Sequence, residues 1–269
     1  MSTQSRIAIV TGASAGFGSA IAFEMASLGW KVAIGARRAD RLAQVAEQAR
    51  ARGAADVYAG PLDVSDDGSV ERFFEASEKA LGIADVIVNN AGASHFHWIE
   101  QTDTRWLRKE VETNLIGPML VTHRALAPLL AREIPGDVVM VSSDAVRRPR
   151  PGQLAYGASK AGLENYADAL GASLEGTGVR VIKLRVGPAI SEFASGWDMS
   201  PDLLKARTEY WASFGLRDAR MMSQSNMALL MPQDIAREVV RAVTQPRNVW
   251  IDTIELQPTA PQKKKGVPK

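Results

Sequence analysis

Short β-prone apolar runs alternate with amphipathic helical stretches along this chain, and that alternation restricts its fold more than any other feature. Ile7–Val10, Lys31–Ala36, Asp56–Ala59, Asp85–Asn89, Val138–Ser142, Val179–Val186 and Val249–Leu256 read as strands, several of them apolar throughout. A strand with no polar face must be covered on both sides. Helical periodicity marks Ala20–Leu28, Arg41–Arg50, Val70–Ala80, Thr104–Ala131, Tyr156–Leu174 and Asp234–Val243. Strands and helices in succession imply a seven-stranded parallel sheet with right-handed crossovers: a doubly wound α/β fold with helices on both faces. Gly29, Gly53 and Gly82 each follow a helical stretch, where a left-handed C-cap belongs. The 269 residues, 46% of them hydrophobic, contain no repeat and no dividing linker, so a single domain over 1–257 is expected.

One stretch interrupts the rhythm. Residues 187–231 hold no strand but two Trp, one Tyr, two Phe and five Met. They either pack on this chain or a neighbouring subunit, or form a lid over an apolar pocket; their place after a late strand favours the substrate-binding lid. Residues 258–269, with Lys263, Lys264 and Lys265, read as a disordered basic tail. Met1–Arg6 leaves no room for a signal peptide, and no apolar run reaches the roughly 18 residues needed to cross a bilayer. A cytoplasmic protein with no membrane partner is expected. The net charge of +2 is too small to imply a nucleic-acid partner, and the absence of cysteine excludes disulfides, a thiolate nucleophile and Cys-ligated zinc.

The first strand runs into Thr11-Gly12-Ala13-Ser14-Ala15-Gly16-Phe17-Gly18 and then a helix. Glycines there let bare backbone approach a pyrophosphate, and the helix N-terminus offers free N–H groups and partial positive charge. The second strand ends at Ala36, followed by Arg37 and Arg38. In a doubly wound sheet that end faces the adenine ribose, where an acid would bond the 2′-hydroxyl of NAD and repel a 2′-phosphate. This chain offers guanidiniums instead, which match phosphate in a bidentate way and point to NADP(H).

Tyr156-Gly157-Ala158-Ser159-Lys160 places a phenol and an ammonium at i and i+4, on one helix face. A free phenol titrates near 10, and bringing it to about 7 takes roughly 4 kcal/mol of differential interaction. A nearby cation works in that direction. So adjusted, Tyr156 can exchange a proton with an alcohol or ketone.

These motifs, in this order, resemble the short-chain dehydrogenases/reductases in their single-domain form, over nearly the whole chain. Thr11–Gly18 is similar to the family's T-G-x-x-x-G-x-G, Asp63-Val64 to its adenine-contacting pair, and Asn89-Asn90-Ala91-Gly92 to its N-N-A-G. Asn114, Ser143, Tyr156 and Lys160 fall where the family carries its catalytic asparagine, serine, tyrosine and lysine. The resemblance implies a Rossmann-type fold, NADP(H) as cofactor and a small carbonyl/alcohol substrate. It makes Tyr156 the general acid/base and gives Lys160 the nicotinamide ribose and the lowering of the Tyr156 pKa. Ser143 would polarise the substrate oxygen, and Asn114 would hold a relay water. Gly12, Ser14, Gly16, Phe17, Gly18, Arg37, Arg38, Asp63, Val64, Asn90, Ala91, Gly92, Tyr156, Lys160, Gly187 and Ser191 would line the cofactor. Ser142 should point to the other face of its strand. The family's P-G-x-x-x-T reads Val186-Gly187-Pro188-Ala189-Ile190-Ser191 here, without the first proline. The ending Trp250–Thr259 resembles a branch of 3-hydroxy acid and serine dehydrogenases and aldehyde reductases. Family members pair through two long helices, which implies a homotetramer or homodimer.

Three further readings bear on the site. His95 and His97 follow the N-N-A-G motif but lack the further ligands a metal needs, so no metal is expected. Arg147, Arg148 and Arg150 read as a solvated loop, with attraction of an anionic substrate as the other reading. A catalytically silent NADP(H)-binding sensor module would be expected to lack Tyr156, Lys160 or Ser143, and all three are present.

Overall fold

The computed structural model describes residues 6–96, 98–190, 205–206, 208–209 and 229–259. The strands are β1 (Ile7–Thr11), β2 (Lys31–Ala36), β3 (Asp56–Pro61), β4 (Val86–Asn89), β5 (Gly136–Ser143), β6 (Val179–Val186) and β7 (Thr253–Leu256). They form one sheet in the order β3-β2-β1-β4-β5-β6-β7, with every neighbouring pair parallel. The helices are α1 (Gly16–Ser27), α2 (Ala39–Ala51), α3 (Asp67–Leu81), α4 (Thr104–Val111), α5 (Gly117–Ala131), α6 (Leu154–Ser173) and α7 (Pro232–Val243). None of the described helices is long and apolar enough to cross a membrane.

Side chains alternate across the pleat and divide the core into two layers. Val10, Ile34, Val88, Val139 and Leu184 face α1, α2 and α7. Ile9, Ala33, Ile87, Met140 and Val181 face α3, α5 and α6. This double cover accounts for the uninterrupted apolar runs. Among the described residues Phe73 and Phe74 of α3 are the largest wholly buried side chains, each contributing about 2–3 kcal/mol through burial.

The doubly wound sheet is as the sequence predicts; the differences lie at element ends. Helix α1 begins four residues before Ala20, because the glycine-rich segment itself turns helical. Strand β7 pairs only from Thr253, since β6 pairs with Thr253 to Leu256 alone. The predicted helix Thr104–Ala131 is broken at Glu112–Ile116 by a π turn. Pro118 lacks the N–H that would bond the carbonyl of Asn114 four residues earlier, and the helix widens there. Strand order reverses between β1 and β4, and the crevice beyond their C-terminal ends is the usual ligand position in such sheets.

Candidate functional site

That crevice is built from backbone that side chains could not replace. Thr11 Oγ1 accepts the N–H groups of both Asn90 and Ala91 at 3.0 Å, and Asn90 Nδ2 donates to the Thr11 carbonyl at 2.8 Å. The N-N-A-G turn is thereby clamped to the end of β1. Gly12 has φ +66°, and a Cβ there would lie 2.8 Å from the Ala91 Cα. Gly16 also has positive φ, +59°, but an added Cβ would meet nothing within 4 Å. Helix α1 opens at Ala15 with no side-chain cap and no acid in its first turn. Its leading N–H groups are therefore directed at whatever lies before them, and an anion fits there.

The crevice beyond the end of β2 is equally well defined. Arg38 donates to Ser14 Oγ through Nε at 3.1 Å and NH2 at 2.9 Å, which draws a guanidinium over the glycine-rich loop. Arg37 is exposed. Asp63 accepts from the Ser65 hydroxyl at 2.6 Å and backbone at 3.1 Å. Burial works to raise its pKa, but the Ser65 bonds and the Arg37 charge bring it below the usual carboxylate value. Val64 is buried against α5, where Gly117 leaves room: a Cβ there would sit 2.6 Å from Val64 Cγ2. The donors match a dinucleotide with a phosphorylated adenosine ribose, and no acid stands at the end of β2 to oppose it.

Ser143 closes β5, while Tyr156 and Lys160 lie one turn apart on α6. With Asn114 of the π turn they form one buried group, exposed by 5%, 8%, 4% and 0% respectively. The Ser143 side chain hydrogen-bonds Tyr156. Ser142 points to the opposite face, as expected, and donates to Glu164 Oε1 at 2.7 Å. Asn114 bonds both backbone groups of Ala93, at 2.7 and 2.8 Å, and Ser159 Oγ at 3.1 Å, which joins the N-N-A-G loop to α6.

The electrostatics differ from the expectation drawn from the Y-x-x-x-K spacing. Lys160 Nζ donates to the Val141 carbonyl at 2.8 Å, and burial lowers its pKa to about 8 against the charge of Glu164. Burial raises the Tyr156 pKa; the Ser143 bond and then the Arg150 guanidinium pull it down, while Asp144 and Glu110 push it up. Burial thus favours the protonated phenol, and the cation that opposes this is Arg150.

Arg150 is not part of a solvated loop. Its NH2 lies 3.0 and 2.9 Å from the two oxygens of buried Asp144, the residue after Ser143. Arg147 is exposed and paired with Glu255 at 3.0 Å. His95 stacks on Trp106 with ring centroids 3.6 Å apart and lies 3.4 Å from buried Glu110. Glu110 escapes a first reading because it stands among Arg105, Arg108, Lys109 and Glu112, which looks like a solvated face. Its spacing from Trp106 and Asn114, four residues each way, was the available signal.

Gly187 donates to the Leu256 carbonyl at 2.9 Å, and a Cβ there would lie 2.5 Å from Gln257 Oε1. The close approach of the chain after β7 therefore accounts for this glycine. Ser191, His97, most of the 187–231 segment and the tail from 260 lie outside the described residues. Among the described residues there is no cluster of three or more His, Asp or Glu suited to a metal.

The chain is similar to known proteins over most of its length. The family described as short chain dehydrogenase matches residues 6–199. Sulfoacetaldehyde reductase 2 of Chromohalobacter salexigens is 32% identical over 95% of this chain and 95% of its own length. A glycine betaine reductase of Emericella nidulans is 32% identical over 94% of this chain, which spans only 19% of that protein. Among solved structures, the closed form of serine dehydrogenase complexed with NADP+ superimposes with a TM-score of 0.78 at 26% identity, over 98% of each chain.

Proposed function

The chain belongs to the short-chain dehydrogenase/reductase family, and from that premise we propose that it is an NADP(H)-dependent oxidoreductase interconverting a small carbonyl compound and its alcohol. The observation that carries this reading is the buried contact of Ser143 with Tyr156, one helical turn from Lys160, with the uncapped α1 N-terminus across the same crevice.

NADP(H) would lie along Gly12–Gly18, its pyrophosphate on the α1 N–H groups and its 2′-phosphate at Arg38 and Arg37. Asp63, Val64 and Asn90 to Gly92 would line the adenosine side. The bound cofactor supplies or accepts a hydride at the substrate carbon. Ser143 orients the substrate oxygen. In reduction, Tyr156 Oη gives its proton to that oxygen, leaving a phenolate; in oxidation it takes the proton from the alcohol. Lys160 is poised to leave the Val141 carbonyl for a ribose hydroxyl, which brings its ammonium toward Tyr156 and eases phenolate formation. Burial of the group excludes water and strengthens each of these interactions.

The test is NADPH and NADH oxidation across a carbonyl panel that includes anionic aldehydes. Turnover with NADPH preferred is expected. NADPH binding with no oxidation of any panel member would instead make the chain a silent binding module. Association through the α4–α5 stretch Thr104–Ala131 and through α6 into a homotetramer or homodimer is read by solution mass, and a monomer at micromolar concentration would reject it.

A further inference from the structure

Glu110 is a carboxylate, 2% exposed, to which the chemistry above gives no task. Its Oε1 accepts the His95 backbone N–H at 2.5 Å, and the same carboxylate accepts the backbone N–H of Tyr156. His95 belongs to the loop after the N-N-A-G turn, and Tyr156 to the first turn of α6. A side chain from α4 therefore holds the backbones of the two segments that meet at the reacting group. A carboxylate also suits the N-terminal turn of a 20-residue helix.

The charged and titratable groups around it come from every neighbouring element. The His95 ring faces it from the loop at 3.4 Å. Tyr156 faces it from α6, and Asp144 with Arg150 bring the segment after β5 to the same phenol. On its own helix, Lys109 is turned onto the Trp106 ring at 4.8 Å. Among the described residues no guanidinium or ammonium pairs with Glu110, so backbone N–H groups are its principal support.

We propose that Glu110 is a positioning residue for the carbonyl reduction described above: it ties the cofactor loop to the catalytic helix, and its negative charge keeps the proton on Tyr156 until the substrate oxygen takes it. The inference rests on that reading of the site. An ionised carboxylate can accept both N–H groups. Once protonated, one oxygen becomes a donor, and the tie between loop and helix weakens. A negative charge beside the phenol also opposes its ionisation, in agreement with the direction in which Glu110 moves Tyr156.

The experiment compares the wild type with Glu110→Gln, Glu110→Asp and Tyr156→Phe. Tyr156 is titrated through the tyrosinate ultraviolet band, with the Tyr156→Phe signal subtracted. Glu110→Gln keeps the length and removes the charge, so Tyr156 should ionise at lower pH than in the wild type. Glu110→Asp keeps the charge but withdraws it by one methylene. It should leave the Tyr156 titration in place and lower kcat by about ten- to a hundredfold with the NADPH Kd unchanged. An unmoved titration in the Gln variant, or an undiminished kcat in the Asp variant, overturns the proposal. If Glu110→Gln does not fold, the kcat-against-Kd split of the Asp variant decides. The titration needs no turnover, so a wild type inert on every carbonyl sinks the reductase reading, whereas an active wild type with an unmoved phenol sinks only this inference.

Discussion

The two edges of the sheet handle buried polarity in opposite ways. At the N-terminal edge, Asp137 is wholly buried and meets Arg6 at 2.7 Å, Arg180 at 2.7 Å and Arg247 at 3.3 Å, while Asp85 takes Arg6 at 2.6 Å. Other guanidinium donors go to carbonyls, including Val243 and Val249. Two carboxylates thus hold three guanidiniums, with carbonyls taking further donors. At the C-terminal edge the donors are backbone N–H groups, the α1 terminus has no side-chain cap, and the Tyr156 phenol is held by neighbours that pull its ionisation in both directions. Polar groups that satisfy one another make structure; those that await a ligand make a site.

The sharpest break in the comparison is Tyr156→Phe. It removes one hydroxyl at the C-terminal edge and should lower kcat by about a thousandfold or more, with thermal stability little changed. A variant within tenfold of wild-type turnover would strip Tyr156 of its role. At the other edge Asp137→Ala removes a carboxylate shared by Arg180, Arg247 and Arg6, of which Arg6 keeps Asp85, and should cost about 3–5 kcal/mol of stability by urea titration. Turnover per folded molecule should hold. Equal losses of activity and stability would show that the two edges do not divide their work.

Arg37→Ala with Arg38→Ala sharpens the reading of the C-terminal edge. A charged hydrogen bond is worth about 1.5–3 kcal/mol, so the loss of one such bond to the 2′-phosphate should lower the preference for NADPH over NADH by about ten- to a hundredfold. Weakening of both cofactors by the same factor would place the arginines elsewhere.

The architecture was legible because both-face burial writes itself into apolar runs such as Val138 to Val141, which the structure covers with helices on each side. Ser143, Tyr156 and Lys160 were legible because one strand end and one helical turn bring them together. The π turn at Asn114 was not, since a wider turn depends on a single missing N–H that hydrophobic periodicity does not register. Nor was the orientation of Lys160. Spacing puts it beside Tyr156, yet its ammonium is held by a strand carbonyl that only the tertiary fold brings within reach. Arg150 reads as part of a solvated loop, and its pairing with buried Asp144 depends on how the segment from Asp144 to Gln153 folds over the site.

The smallest expected effect concerns pH and sets Glu110 against Asp137. Burial raises the Glu110 pKa from an ordinary 4.5 to about 7, because two N–H bonds do not compensate for lost hydration. The folded chain then binds the proton more tightly than the unfolded one, so this group's contribution to stability is full below about 4.5. It fades as pH rises through about 7. At about 1.4 kcal/mol per unit the change is at most on the order of 3 kcal/mol, and relaxation around the charge reduces it. Urea titrations at pH 5, 6, 7 and 8 should show the wild type losing stability across that range and Glu110→Gln losing less. Asp144 and Lys160 contribute slopes common to both proteins, so the difference reports the Glu110 carboxylate and its immediate contacts. Parallel curves would mean that its carboxylate is as well matched by backbone as Asp137 is by guanidinium, and the contrast between the edges would shrink to the uncapped helix alone.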